Sequence, residues 1–312
     1  MSHGSAGSVR VGVVDVGGTS MRRGTADIET GDLDPSLPPA VHELGAEPSA
    51  TRPDEAVEQV LALAEAASHD VAAVGVVLPG LVDESAGVGA WSENLGWRDV
   101  AFGDLLRARL DVPVAVGHDV RAWGAAERRW GAGSGRSDVA VVVIGTGISA
   151  ALVVDGRPLV ARGFAGEIGH LRVADDGACA CGGTGCLEAV ASAAGIVRAY
   201  NAAADQAVTG AVDVAAAVRR GERIAVEVWS TAMDRLADGL AALTTVVAPE
   251  AIVLGGGLAL AGEELLFAPL RSRLADRLRY SPVPELLPAA FERTGGLVGA
   301  ALLALDLLEE PR

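Results

Sequence analysis

Positive charge is scarce in this chain. Lysine and arginine together number 25 against 41 aspartates and glutamates in 312 residues, a formal net charge of −16. An acidic surface repels phosphate backbones, which excludes an electrostatic nucleic-acid-binding face. Aromatic residues make up only 4% of a sequence that is 50% hydrophobic, so Ala, Val, Leu and Gly must build the interior. No uninterrupted apolar run reaches the roughly 18 residues of a membrane span. The opening stretch, residues 1–9, is polar and lacks an apolar signal-peptide core, so the chain is expected in the cytoplasm. Cysteine is nearly absent. Its three copies, Cys179, Cys181 and Cys186, lie close together, an odd and crowded set that makes a poor disulfide framework and a good partial metal site. There is no Gly-Lys-Ser/Thr phosphate loop and no dinucleotide fingerprint.

Glycine, by contrast, is abundant, with 40 copies gathered in clusters at Gly17-Gly18, Gly145-Thr146-Gly147, Gly182-Gly183 and Gly255-Gly256-Gly257. Such clusters mark backbone that turns tightly or lies close to a ligand. Periodicity predicts strands over residues 10–16, 20–26 and 40–44, with a polar, proline-rich loop over 31–39. A helix is expected over 51–68, where Val57, Val60, Leu61, Ala64 and Ala67 share a face. Thr51 and Asp54 suggest a capping box, with Pro53 in the first turn. Further strands are expected over 71–78, 112–116, 139–144, 149–154 and 251–254. Helices are expected over 102–110, 120–130, 187–200, 224–247, 262–279 and 295–307. Residues 160–188 show little periodicity.

The order repeats: each half opens on a strand, a Gly/Thr turn and a second strand. A chain of this length with strands and helices in two such halves predicts a two-domain α/β architecture with a cleft between the domains. The expected division is 1–118 and 119–294, with the last helix, about 295–312, packing back on the first domain.

In Asp15-Val16-Gly17-Gly18-Thr19 a strand delivers an aspartate, two glycines turn the chain, and a hydroxyl follows. Converging backbone N–H groups there can cradle an anion, and Asp15 can hold a magnesium ion or its water. A plain hairpin turn accounts for the same residues equally well. Ile144-Gly145-Thr146-Gly147 repeats the chemistry, and Gly255, Gly256 and Gly257 after a buried strand suit the close approach of a nucleotide base or ribose.

The three cysteines sit on a glycine-rich loop, and His170 lies nine residues before Cys179. A Cys3His set is a tetrahedral zinc arrangement. Four protein ligands close the coordination shell, so the ion would be structural and would order a loop with little core of its own. Asp119, between a strand and a helix, can orient a hydroxyl and accept its proton, or can cap the helix. Glu167 and Glu188 flank the metal loop, where fixed carboxylates suit pairs of sugar hydroxyls or serve as ordinary solvated charges. Trp91, Asn94 and Trp97 offer an apolar face and an amide nearby in sequence.

Together these motifs resemble the ROK family, which contains bacterial glucokinases, N-acetylhexosamine kinases, fructokinases and sugar-responsive repressors. The resemblance runs from about Val9 to Leu303. It is carried by Asp15-Val16-Gly17-Gly18-Thr19, by Gly166-Glu167-Ile168-Gly169-His170 and by the run from Cys179 through Cys181 and Cys186 to Glu188. The loops Leu78–Asp83, which contains Gly80, and Asn94–Trp97 are similar to the family's sugar-side loops, and Ile252–Gly256 to its adenosine-site turn.

The resemblance implies an actin-like, ribonuclease-H-like ATPase fold that binds ATP, Mg2+ and a sugar. It implies Asp119 as catalytic base, and Gly80, Asn94, His118, Glu167, His170 and Glu188 as sugar-side residues. His170 would bind zinc through one ring nitrogen and sugar through the other. Gly17, Gly18, Thr19, Gly145, Thr146 and Gly147 would hold phosphates. A dimer or tetramer is implied as well.

The chain departs from the family pattern at several points. His118 replaces the usual Asn before the aspartate, Ser149 and Ala150 replace glycines, and Arg22 stands where many relatives have Lys. The His170–Cys179 spacing is one residue short. Expected activity is phosphorylation of a hexose 6-hydroxyl, with glucose the default and GlcNAc or ManNAc the alternative. A non-catalytic sugar sensor and a repressor are the competing classes. Family repressors carry a helix-turn-helix before the first strand, which here begins near Val9.

Overall fold

The computed structural model describes residues 7–30 and 37–309. The chain divides into two compact units. The first is Met1–Ser134 with Val160–Phe164 and Arg293–Arg312, and the second is Gly135–Leu159 with Ala165–Glu292. The division expected near residue 118 falls instead after Ser134. The helix that follows Asp119 packs on the C-terminal helix, and both belong to the first unit.

In the first unit, β1 (Gly7–Val16), β2 (Ser20–Thr30) and β3 (Ala40–Pro48) form an antiparallel meander. After α1 (Pro53–Ala67), β4 (Val74–Leu78) joins β1 in parallel. A small three-stranded sheet follows, β5 (Leu81–Asp83), β6 (Val88–Trp91) and β7 (Arg98–Val100), then α2 (Phe102–Arg109), β8 (Val114–His118) and α3 (Asp119–Trp130). The main sheet has the order β3-β2-β1-β4-β8.

The two-residue period of a strand sorts the side chains of β1. Val14 and Val16 pack into a core with α1 and α2. Val11 and Val13 pack on the other face with α3 and the C-terminal helix, Gly295–Glu309. That second face also receives Asp15. Most of the expected loop 31–39 lies outside the described residues.

The second unit repeats the plan. β9 (Val139–Ile144), β10 (Ile148–Val154) and β11 (Arg157–Leu159) form an antiparallel meander. The short helix α4 (Leu187–Ala191) is followed by α5 (Ala193–Ala203), α6 (Ala211–Arg219) and α7 (Arg223–Val247). Then come β12 (Ala251–Gly255), α8 (Ala268–Arg277) and β13 (Glu285–Pro288). The order β11-β10-β9-β12-β13, with β12 parallel to both neighbours, copies the hydrogen-bonding pattern of the first sheet. The single core of this unit is lined by Ile144, Ile148, Leu187, Met233, Leu236, Leu240 and Leu254.

Several expectations are corrected. The helix expected over 187–200 is broken at Ser192, which adopts an extended conformation and accepts the N–H of Gly195 on its hydroxyl, capping α5. The N-cap of α1 is Arg52 with no side-chain cap, so Thr51 and Asp54 form no capping box. The small sheet, α6, β11 and β13 were not expected.

Candidate functional site

The first unit carries one group of the predicted site residues. β1 and β2 are joined by Gly17-Gly18-Thr19, where the Gly17 N–H bonds the carbonyl of Ser20 and closes the turn. Asp15 is nine-tenths buried and ion-paired with Arg22, which also donates to the Arg293 carbonyl. A Cβ on Gly296, in the first turn of the C-terminal helix, would collide with the Asp15 carboxylate. Asp15 therefore sits between a guanidinium and the N-terminal end of a helix.

The Asn94 side chain packs on the same turn: a Cβ on Gly18 would lie 2.9 Å from its Nδ2. Gly80, at the end of β4, backs onto Trp91 and Ser92. Trp97 is not available to a ligand. It is 2% exposed and meets Phe102 edge-on at 4.9 Å, a core contact.

The strand-to-helix junction differs from expectation. The residue capping α3 is His118, whose Nδ1 accepts the N–H of Arg121 at 3.2 Å, while Asp119 is the first residue of the helix proper. An accepting Nδ1 places the ring proton on Nε2, which lies 3.5 Å from Asp119 Oδ1. His118 is 3% exposed; burial first, and then the nearby Arg121 charge, pull its pKa down to about 3. The imidazole is neutral at physiological pH. Asp119 is half-buried, with Oδ1 also accepting the N–H of Val120 at 2.7 Å.

The second unit carries the other group. His170, Cys179, Cys181 and Cys186 present ligand atoms all within 4.8 Å of one another. The pairs Cys179 Sγ–His170 Nδ1 and Cys181 Sγ–Cys186 Sγ are each 3.7 Å apart. Four ligands bound at about 2.0–2.3 Å around a tetrahedral ion are separated by about that distance, so the donor set fits a four-coordinate metal. In the chain without an ion, burial pushes the Cys179 thiol up to about 12 and raises Cys186, while the backbone N–H of Gly183 lowers Cys181. A bound cation would offset the cost of ionising the first two. Nδ1 of His170 faces the cysteines, and Nε2 lies 3.9 Å from Glu167.

Glu188, in the first turn of α4, joins this cluster to the second glycine turn. Its Oε1 lies 3.5 Å from Cys179 Sγ, and its Oε2 accepts the N–H of Ile148 at 3.3 Å. The turn Gly145-Thr146-Gly147 is closed by the Gly145 N–H on the Gly147 carbonyl and anchored by the Ala193 N–H on the Gly145 carbonyl. The Gly145 N–H is thus engaged within its own turn, as the Gly17 N–H is within the first. Gly256, at φ +85°, leaves no room for a side chain: a Cβ there would meet the Ile144 carbonyl oxygen at 2.5 Å. Gly255 and Gly256 therefore lie against the end of β9, and within the second unit the metal cluster, Glu188, the Gly145–Gly147 turn and this glycine run follow one another in space.

Sequence reasoning missed two residues of the first group, Glu84 and Arg121. Arg121 is 8% exposed and donates to the carbonyls of Val82 and Gly163. Glu84 accepts the His118 N–H. Among the described residues, no helix is long and apolar enough to cross a membrane.

Comparison with known proteins gives a consistent picture. A profile of the ROK family matches residues 12–307. The glucokinase of Streptomyces coelicolor is 30% identical over 96% of this chain and 97% of its own length. The N-acetyl-D-glucosamine kinase of Pectobacterium carotovorum is 32% identical over 93% of this chain and 97% of its own. Among solved structures, a ROK family glucokinase from Streptomyces griseus, in complex with glucose and AMPPNP, aligns over 96% of this chain and 100% of its own. Its TM-score is 0.81 and its identity 30%.

Proposed function

The chain belongs to the ROK family, and from that premise we propose that it is an ATP-dependent sugar kinase acting on the 6-hydroxyl of a hexose, with glucose as default substrate. The observation that carries the reading is the likeness, over nearly the whole chain, to a glucokinase seen with glucose and a nucleotide, in a chain that keeps Asp15, Asp119 and Glu188 in ordered polar surroundings.

In this reading Asp119 accepts the proton of the sugar hydroxyl. The oxygen attacks the γ-phosphorus, the bond from that phosphorus to the β–γ bridging oxygen breaks, and ADP leaves with the electron pair. ATP with Mg2+ supplies the transferable phosphoryl group and screens its charge. Asp15 is already paired with Arg22, and the Cys/His set is the single candidate metal cluster among the described residues. Both facts favour magnesium arriving with the phosphates, with Asp15 acting through its hydration.

Backbone N–H groups of Gly18 and Thr19 and of Thr146 and Gly147, in turns closed by Gly17 and Gly145, serve the phosphates, and Gly255–Gly257 the adenosine. Asn94, Glu167, His170 and Glu188 hold sugar hydroxyls. His118 reaches the substrate only as an Nε2 donor, its Nδ1 being spent on the α3 cap. His170, Cys179, Cys181 and Cys186 would hold zinc, which would order the segment between Glu167 and Glu188. The protein acts in the cytoplasm as a homodimer or homotetramer.

A second reading, an N-acetylhexosamine kinase, is favoured by the full-length likeness to an N-acetyl-D-glucosamine kinase. A coupled ADP-release assay with glucose, mannose, fructose, GlcNAc and ManNAc separates the two. The Asp119→Asn variant is expected to fold and bind the preferred sugar while losing turnover. Near-normal turnover in that variant would remove the assignment of Asp119.

A further inference from the structure

A buried arginine is costly, and an apolar side chain of similar size would pack in its place with less desolvation. Arg121 is nevertheless enclosed at 8% exposure, and its guanidinium contacts link separate segments of the first unit. Its guanidinium donates to Val82 O at 3.1 Å and Gly163 O at 3.3 Å, tying together β5 and the 160–164 segment of the same unit. Its Nε faces Glu84 Oε1 at 3.3 Å, an ion-pair contact without hydrogen-bond alignment. The same Glu84 oxygen accepts the backbone N–H of His118 at 2.9 Å. The backbone N–H of Arg121 holds His118 Nδ1, which turns the protonated Nε2 toward Asp119 Oδ1. His118 is thus gripped by its main chain from Glu84, which itself faces the Arg121 guanidinium, and by its ring from the Arg121 main chain, and it faces the carboxylate that must meet the substrate hydroxyl.

We propose that Glu84 and Arg121 are positioning residues for Asp119, acting through His118. The inference rests on the reading of Asp119 as the base. Neither residue touches substrate. Their side chains keep the β8–α3 junction in one geometry, in which the Arg121 main chain fixes the imidazole tautomer, so that the Asp119 carboxylate is oriented before the sugar arrives. Misplacing a catalytic group by about 1 Å can cost a hundredfold in rate, whereas ground-state binding shared among several hydroxyl contacts changes little.

The test uses the full-length chain with the sugar that the panel shows to be turned over fastest. Steady-state kcat, sugar dissociation constant by calorimetry and thermal midpoint are compared across Asp119→Asn, Glu84→Gln, Arg121→Met and Arg121→Lys. Glu84→Gln keeps the shape and an acceptor for the His118 N–H but removes the charge facing Arg121.

The expected result for Glu84→Gln and Arg121→Met is a fall in kcat of about tenfold or more with sugar affinity within about threefold of the parent. Arg121→Lys should recover part of the loss, because an ammonium restores the charge but not the fork onto two carbonyls. A folded Glu84→Gln or Arg121→Met enzyme with kcat within about twofold of the parent, beside an inactive Asp119→Asn, overturns this proposal alone. So does a loss in which kcat, affinity and thermal midpoint all decline together. If Arg121→Met does not fold, Glu84→Gln decides by the same criteria. An active Asp119→Asn instead overturns the reading on which the proposal stands.

Discussion

The carboxylate of Glu188 is shared between two structures of the second unit: Oε2 accepts the N–H of Ile148 at the edge of the Gly145–Gly147 turn, and Oε1 lies against the Cys179 thiol. Through this one side chain the metal loop and the glycine turn hold each other in place. A Cβ on Gly147 would come within 2.7 Å of Oε2, so the turn is shaped around the carboxylate.

Removing the Glu188 carboxylate group altogether should therefore disturb both substrates, and replacing it by an amide only one. Glu188→Gln keeps an acceptor for the Ile148 N–H and loses the charge offered to sugar hydroxyls. It should raise the sugar KM by about tenfold, the scale of one charge-assisted hydrogen bond, with the KM for ATP nearly unchanged. Glu188→Ala also strands the Ile148 N–H and should raise both. Initial-rate kinetics with each substrate varied in turn read the difference; an ATP KM that stays at the parental value in Glu188→Ala refutes the link.

The metal cluster makes a direct prediction. Freshly purified protein should contain one zinc per chain by elemental analysis, and Cys181→Ser should lower both the zinc content and the thermal midpoint. Cys181 is the informative position because it is the exposed ligand, so its loss leaves the core intact. Protein free of zinc with an undiminished midpoint would show that the cluster is held by its own hydrogen bonds.

What could be read from the sequence was what unusual residue types mark. Gly17-Gly18, Gly145-Thr146-Gly147 and the Cys179–Cys186 run stand out locally, and the structure joins the last two through Glu188. The long apolar periods of α7 and the buried run of β12 were equally plain. Elements of three or four residues were not, because β5, β6 and β7 are too short to show alternation and owe their pairing to the loops around them. Trp97, offered by its position as part of an apolar face for a ligand, is instead a core residue, because its partner Phe102 begins a different element. Asp119 looked like the cap of α3, since aspartate is a common cap and histidine is not; only the geometry shows the His118 ring in that place. Arg121 and Glu84 carry no local signature at all, since their partners lie 34 to 42 residues away.

Gly18 tests the contact between the first turn and the sugar-side loop. In Gly18→Ala the new methyl would press on the Asn94 amide, 2.9 Å from Nδ2 and 3.0 Å from Cβ. The loop carrying Asn94 must then shift, so the sugar KM should rise several-fold while the thermal midpoint moves little, roughly the 1 kcal/mol scale of a strained surface contact. An unchanged KM would mean that Asn94 takes no part in holding the sugar.

His118 makes the chain sensitive to acid in a way that can be isolated. Its folded pKa, about 3, lies below the ordinary 6.5 because the ring is buried and near Arg121. Between those two values the unfolded chain takes up a proton that the folded chain refuses, so unfolding is favoured as pH falls from 6.5 toward 3. At pH 5 the loss attributable to this one residue is roughly 2 kcal/mol. Other groups titrate over the same range, so the quantity to measure is the difference between the parent and His118→Asn in urea unfolding at pH 7.5 and pH 5, conditions set about one unit above and 1.5 units below the ordinary histidine value. Asparagine cannot be protonated there and can still cap α3, so the parent should lose about 2 kcal/mol more than the variant over that interval. Equal losses would mean that the folded protein accommodates a protonated His118, and that its Nδ1 is not held by the Arg121 N–H.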